Sequence, residues 1–172
     1  TRISHRSFAT SRSEMRINME MIKGGVTAAK GFCAAGLNAG IKNNEKKDMA
    51  MVYSEKPCVT AGTFTTNKVF AAPVKWDKDI VANSPFAQAV VVNSGVANAC
   101  TGKEGDDACA AEAKAVSEAL QVPESAVLVA STGVIGAQLP MDKICAGIKE
   151  LPKKLGSSLD LGTLAAEAIM TT

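Results

Sequence analysis

Two stretches of small polar residues carry the chemistry this sequence can offer. Asn93-Ser94-Gly95-Val96-Ala97-Asn98-Ala99-Cys100-Thr101-Gly102 follows Val90-Val91-Val92, and Ser131-Thr132-Gly133-Val134-Ile135-Gly136 follows the aliphatic run Ala126 to Ala130. A short aliphatic run ending in hydroxyl, amide and glycine residues is how an α/β domain brings donors to a cleft at a strand end. Glycine lets the backbone approach a ligand, and Ser, Thr and Asn add compact hydrogen bonds. Both stretches read as polar turns fit to cradle an anion or a carbonyl. In Ser131-Thr132-Gly133, a hydroxyl and the next residue's N–H can point to one spot, as an oxyanion hole requires. A plain strand-to-loop turn would carry the same residues.

Donors without a base raise the question of the nucleophile. His5 is the only histidine and lies in an Arg-rich leader, which argues against a His-based triad. The nucleophile must then lie elsewhere, or be an N-terminal residue activated by its own amine. Cys100 stands beside Asn98 and Thr101, but no histidine activates it, and it reads as a small buried thiol. The glycines Gly24, Gly25, Gly31, Gly36 and Gly40 fit neither GxGxxG after a strand nor GxxxxGK[ST], so they read as close backbone packing rather than a nucleotide loop. Lys30 reads as solvated, and Glu112, Lys114 and Glu118 as a solvated helix face. Five cysteines, odd in number and without CxxC or Cys/His pairing, speak against zinc or a disulfide framework and for reduced, intracellular thiols.

Several elements must position these residues. Asp48 to Ser54 and Val59 to Thr65 read as two strands paired in a hairpin. A Pro73-initiated helix runs to about Val81, and Ala87 to Val92 is the strand leading into the first turn. Gly105 to Leu120 is the clearest helix, with Asp106 and Asp107 in its first turn and Cys109, Ala113, Val116 and Leu120 as its buried stripe. Strand Ala126 to Ala130 delivers the second turn. Pro140 sits at N1 of a helix carrying Ile144, Ile148 and Leu151 on one face, with Pro152 as its stop. Leu161 to Met170 reads as a last short helix. Strands alternate with helices in this half, so the class is α/β.

Composition sets the outer bounds. The 172 residues suffice for one domain with a core, and 47% hydrophobic content suits a globular chain. A net charge of +2, without a basic stripe bearing aromatics, gives no argument for nucleic acid. No apolar run approaches the roughly 20 residues of a membrane span. Residues 1–23 contain Arg2, Arg6, Arg12 and Arg16 with few acids, the bias of an organelle transit peptide or of an ordinary polar leader. The apolar stretch Leu164 to Met170 close to Thr172 reads as an element expecting a further piece of polypeptide.

A set of longer motifs goes beyond any single turn. Gly24-Gly25-Val26-Thr27-Ala28-Ala29-Lys30-Gly31-Phe32, Thr65-Thr66-Asn67, Ala71-Ala72-Pro73-Val74, the Asn93 to Gly102 and Ser131 to Gly136 stretches, Leu139-Pro140-Met141-Asp142-Lys143 and Ala168-Ile169-Met170-Thr171-Thr172 occur in that order. Together they resemble the N-terminal (α) part of ornithine acetyltransferase, also called glutamate N-acetyltransferase, of arginine biosynthesis, over residues 24–172. One departure stands out: where the family usually reads Asn-Ser-Gly-Asn-Ala-Asn, this chain has Val96.

The resemblance implies an α/β sandwich related to N-terminal-nucleophile-like aminopeptidases, incomplete without a second chain. It implies a precursor that cuts itself before a threonine, and an acetyl group passed from N-acetylornithine to that threonine and then to glutamate. The family's oxyanion-hole pair falls on Thr132 and Gly133, and its substrate-contacting threonine on the pair Thr171-Thr172, Thr172 by spacing. Its nucleophilic threonine belongs to a later Met-Ala-Thr motif, outside this sequence. The implied partner is the downstream β chain, in an α2β2 assembly; the leader points to the mitochondrial matrix or a plastid, with the cytoplasm as the alternative. No metal and no bound cofactor are implied, and acetyl-CoA stays open as a second acetyl donor. Two other readings remain: an aminopeptidase of the same superfamily, and a non-catalytic small-molecule-binding domain.

Overall fold

Alternation of burial along four strands decides which side chains of this molecule share a surface. The computed structural model describes residues 23–84 and 86–171. Strands β1 (Phe32–Leu37), β2 (Met49–Val59), β3 (Phe86–Val96) and β4 (Val127–Val134) form one sheet in that order. The first three run antiparallel, while β4 lies parallel to β3. A parallel neighbour needs a crossover, and α2 (Gly102–Leu120) supplies it.

On one face Met49, Met51, Ala89, Val91, Val127 and Val129 pack against Cys109, Ala113 and Val116 of α2, Ile144 and Ile148 of α3 (Met141–Glu150), and Leu151. On the other face Ala34 and Ala50 meet Ala165 and Ala168 of α4 (Leu159–Ala168), with Val52 and Val92 partly buried beside them. Helix α1 (Ala72–Asn83) covers part of the outer edge of β4. Its Trp76 Nε1–H donates to the Val127 carbonyl at 3.0 Å, and its Asp77 carboxylate accepts the Val129 N–H at 3.0 Å. The outer edge of β1 is closed at Gly156, whose carbonyl accepts the Ala34 N–H at 2.9 Å.

The expected hairpin of residues 48–54 with 59–65 does not form. Strand β2 runs on to Val59, residues 60–65 hold no strand, and the antiparallel partner is β1, drawn from the Ala/Gly-rich segment. Close packing explains its composition: a Cβ at Gly36 would fall on the Leu164 carbonyl of α4. Strand β2 slips register against β3 between Tyr53 and Cys58, where Pro57 has no N–H to give a ladder.

Four further expectations shift. The two polar turns are not turns: β3 continues through Asn93, Ser94 and Gly95, and β4 through Ser131, Thr132 and Gly133. Helix α2 begins at Gly102, so Glu104 occupies the first turn and Asp106 and Asp107 lie further in. Pro140 is the N-cap of α3 rather than its first residue, and Leu151 opens a 3-10 turn. The last helix spans Leu159–Ala168, capped by the Ser158 hydroxyl accepting from the Leu161 N–H. Among the described residues, no helix is long and apolar enough to cross a membrane. Residues 1–22 of the expected leader, and Thr172, lie outside the described residues.

Candidate functional site

The parallel pairing of β3 with β4 brings the two polar stretches side by side. Asn93 stands opposite Ser131, Ser94 opposite Thr132 and Gly95 opposite Gly133. Successive side chains alternate between the faces, so the pairs separate. Ser94 and Thr132 belong to the α4 face with Val92 and Ala130, and Asn93 and Ser131 to the α2–α3 face with Val91 and Val129. The Asn93 amide donates to the Val96 carbonyl at 2.9 Å, while Asn93 Oδ1 and the Ser131 hydroxyl are buried without a partner. Only a carbonyl of Val96 enters this contact, which any residue can supply, so the family's asparagine side chain is not needed for it.

Gly95 and Gly133 must be glycine. Their φ values are +107° and +134°, and a Cβ at Gly133 would run into the Gly95 carbonyl. With both side chains absent, the strands stay paired to Val96 and Val134. The Trp76 and Asp77 bonds show that Val127 and Val129 turn their main-chain groups away from β3. Strand alternation carries those of Ser131 and Gly133 to the same side, where these α1 bonds no longer reach. The Gly133 N–H therefore faces the open edge, next to the half-buried Thr132.

The end of α4 comes to this place. The Ser94 hydroxyl donates to the Ala168 carbonyl at 2.5 Å, and Lys42 Nζ donates to the Met170 carbonyl at 2.5 Å. Thr171, exposed, follows directly. Lys42 itself lies across Gly95, with its Cγ 3.1 Å from where a Cβ would stand. The loop carrying Lys42 is fixed by buried Asp48, whose carboxylate accepts the N–H groups of Ala39 (2.6 Å), Ile41 (2.6 Å) and Lys42 (3.0 Å). Sequence reasoning passed over Asp48 and Lys42; an acid at the threshold of an apolar strand, after three lysines in a turn, was the available signal.

The remaining candidates have other duties. Asn98 donates to the Gly105 carbonyl at 2.9 Å and accepts the Thr101 hydroxyl at 2.6 Å, so both buried side chains tie down the start of α2. Cys100 is exposed, not buried as expected, and sits at φ 58° in the turn into α2. Lys30, Lys114 and Glu118 are exposed, as read. Glu112 is not: it is 1% exposed, both oxygens lack a partner, and burial pushes its carboxyl up to about 8. Burial also raises Asp77 to about 6, against the opposing pull of the Val129 N–H. The Cys109 thiol rises to about 12, through burial first and then the neighbouring Glu112. A concavity of about 530 Å³ between α1 and α2, lined by Phe70, Lys75, Trp76, Asp106 and Cys109 among others, does not include Thr132 or Gly133.

Fold and site together define an α/β protein that presents a hydroxyl and a main-chain donor at the open end of a parallel strand pair. The chain belongs to the ArgJ family, whose model matches residues 33–172. It is 47% identical over 156 residues to the arginine biosynthesis bifunctional protein ArgJ of Gloeobacter violaceus, covering 90% of this chain and 38% of that protein. The ArgJ protein of Symbiobacterium thermophilum is 50% identical over 156 residues, with the same coverage. This chain thus spans a little over a third of the length of these curated relatives. Among solved structures it resembles ornithine acetyltransferase complexed with ornithine from Mycobacterium tuberculosis, with a TM-score of 0.83 and 45% identity over 87% of this chain and 80% of that one. The ArgJ structure from Bacillus halodurans gives 0.82 and 44%, over 87% of this chain and 76% of that chain. The α/β architecture expected from the motifs is therefore that of these structures.

Proposed function

We propose that this chain is the α-chain part of an acetyltransferase that moves acetyl from N-acetylornithine to glutamate. The observation that carries this reading is the pairing of Gly95 with Gly133, which keeps β4 extended through Thr132 and leaves the Gly133 N–H on the outer edge of the sheet. A threonine hydroxyl on the downstream chain attacks the acetyl carbonyl of N-acetylornithine. The carbonyl oxygen becomes an oxyanion, which accepts hydrogen bonds from the Thr132 hydroxyl and the Gly133 N–H. Collapse of that intermediate leaves an acetyl-threonine ester and frees ornithine as the amine. Attack by the glutamate amine then passes through a second oxyanion at the same donors and regenerates the threonine. Thr172, with Thr171 beside it, contacts the substrate.

The donors strengthen their bonds only as charge develops, so they act on turnover rather than on substrate binding. Thr132→Ala in the processed full-length protein should lower kcat about 10²–10³-fold with little change in KM for N-acetylornithine. A hydroxyl that only shapes the strand end would instead lower the melting temperature and spare kcat. A near-normal kcat in that variant removes Thr132 from the site. Hydrolysis of a peptide amide without acetyl transfer would favour the aminopeptidase reading, and binding without turnover the non-catalytic one. Running the assay with acetyl-CoA in place of N-acetylornithine tests that second donor.

The same reading makes the downstream β chain the obligate partner, in an α2β2 assembly, and residues 1–172 alone inactive. Sizing of the co-expressed halves checks the assembly. The Arg-rich residues 1–23 support import into a mitochondrial matrix or plastid, and a fluorescent fusion of them that stays in the cytosol would refute that.

A further inference from the structure

The last carbonyls of a helix have no intrahelical partner and must find one outside. At the end of α4 two side chains from distant parts of the chain take them: Ser94 of β3 takes that of Ala168, and Lys42 that of Met170 just beyond. Lys42 also donates to the Lys47 carbonyl at 3.0 Å, so its ammonium closes its own loop and holds the segment after α4 at once. Its backbone N–H is held by Asp48, and its aliphatic stem lies over Gly95, which stands beside Gly133 in the sheet. A continuous set of contacts therefore joins Gly133, Gly95, Lys42 and Met170. A second tie runs parallel to it, from Lys47 Nζ to the Glu167 carboxylate at 3.2 Å.

We propose that Lys42 is a positioning residue: it fixes Met170 and Thr171 against the C-terminal ends of β3 and β4, on the same side of the molecule as Thr132 and Gly133, so that the substrate meets both. The inference rests on the assignment of Thr171 and Thr172 to substrate contact made above. An ordinary helix C-cap would draw the same hydrogen bond, so the test must separate substrate placement from stability. Lys143 supplies the comparison. It donates to the Gly40 carbonyl at 2.6 Å and so ties the same loop to α3, without touching the segment after α4.

In the full-length protein, Lys42→Met should raise KM for N-acetylornithine about tenfold and leave kcat within about twofold, because a lost charged hydrogen bond here weakens substrate and transition state alike. Lys42→Arg should recover most of the loss. Lys143→Met should lower the melting temperature comparably and leave KM unchanged. Equal KM values in the wild type and Lys42→Met, or equal KM rises in Lys42→Met and Lys143→Met, would overturn the proposal while the acetyl transfer itself stands. Should the wild type transfer no acetyl from N-acetylornithine, that reading fails on its own, and amide exchange decides the clamp. Faster exchange at residues 169–171 in Lys42→Met but not in Lys143→Met supports it, and identical exchange refutes it.

Discussion

The two faces of the sheet differ in how far this chain completes them. Over the α2–α3 face, Met49, Met51, Val91, Val127, Ile144, Ile148 and Leu151 are wholly buried in one continuous core. The α4 face has a cluster of four small alanines over β1 and β2, while Val90, Leu128 and Ala130 on β3 and β4 stay half-buried. The finished face supplies stability, and the unfinished one holds Ser94, Thr132 and the segment after α4. Under the proposed function, the strand pair is left uncovered where it would offer its donors to a substrate. The same logic places the apolar faces of β3 and β4 where a second layer could pack.

The contrast is most directly broken by cavities. Ile148→Ala on the finished face should cost about 2–5 kcal/mol in denaturant unfolding, and Leu128→Ala on the other less than about 1 kcal/mol. Equal costs would mean that the faces are energetically alike. In the full-length protein the Leu128→Ala cost should rise, if the downstream half lies over it. Gly133→Ala attacks the shared end of both faces. A side chain there meets the Gly95 carbonyl at a φ that L-residues rarely adopt, and should cost about 2–3 kcal/mol and, under the proposed function, abolish acetyl transfer in the full-length protein.

Glu112 is the one ionisable group among the unpartnered buried polar groups described on the finished face. Its folded carboxyl is held near 8 against an ordinary 4.5, so below about pH 4.5 the group is protonated and neutral in the folded and the unfolded chain alike. As pH rises from there, the unfolded chain ionises first, and stability falls until the folded group ionises too, near pH 8. Cys109 and Cys145 are titratable neighbours of Glu112, and neither offers a positive charge. Glu112→Met should raise stability at pH 8 by about 2 kcal/mol and flatten the profile between pH 5 and 8, read as melting temperature against pH. An unchanged slope would locate the pH dependence elsewhere. The smallest effect belongs to the covered part of the β4 edge. Trp76→Phe keeps the packing, loses the bond to the Val127 carbonyl, and should cost about 1 kcal/mol.

What the sequence disclosed follows the same division. Helices α2 and α3 and the aliphatic parts of β3 and β4 were legible because a complete apolar stripe enforces its period. Strand β1 was not, since Phe32-Cys33-Ala34-Ala35-Gly36-Leu37 owes its small residues to α4 lying against it rather than to strand propensity. Asn93 to Gly95 and Ser131 to Gly133 looked like turns because polar residues and glycine usually end strands. Here the glycines let two strand ends lie together. Glu112 shares the stripe of Cys109, Ala113 and Val116, so its spacing announced burial and only its charge argued otherwise. The proposal of Thr132 and Gly133 rests on motif wording, whereas Lys42 and Asp48 emerged only from contacts across the chain.

Asp48 has one more effect on what this molecule can bind. Three backbone N–H groups converging on one carboxylate form the kind of concavity that captures phosphates and carboxylates. In residues 39–42 that concavity is already filled by a carboxylate belonging to the protein. The loop carries its own permanent tenant, and an acidic amino acid arriving from solvent finds no lodging there. Replacing Asp48 with alanine would vacate the seat, and the chain would gain an affinity for free anions beside Gly95.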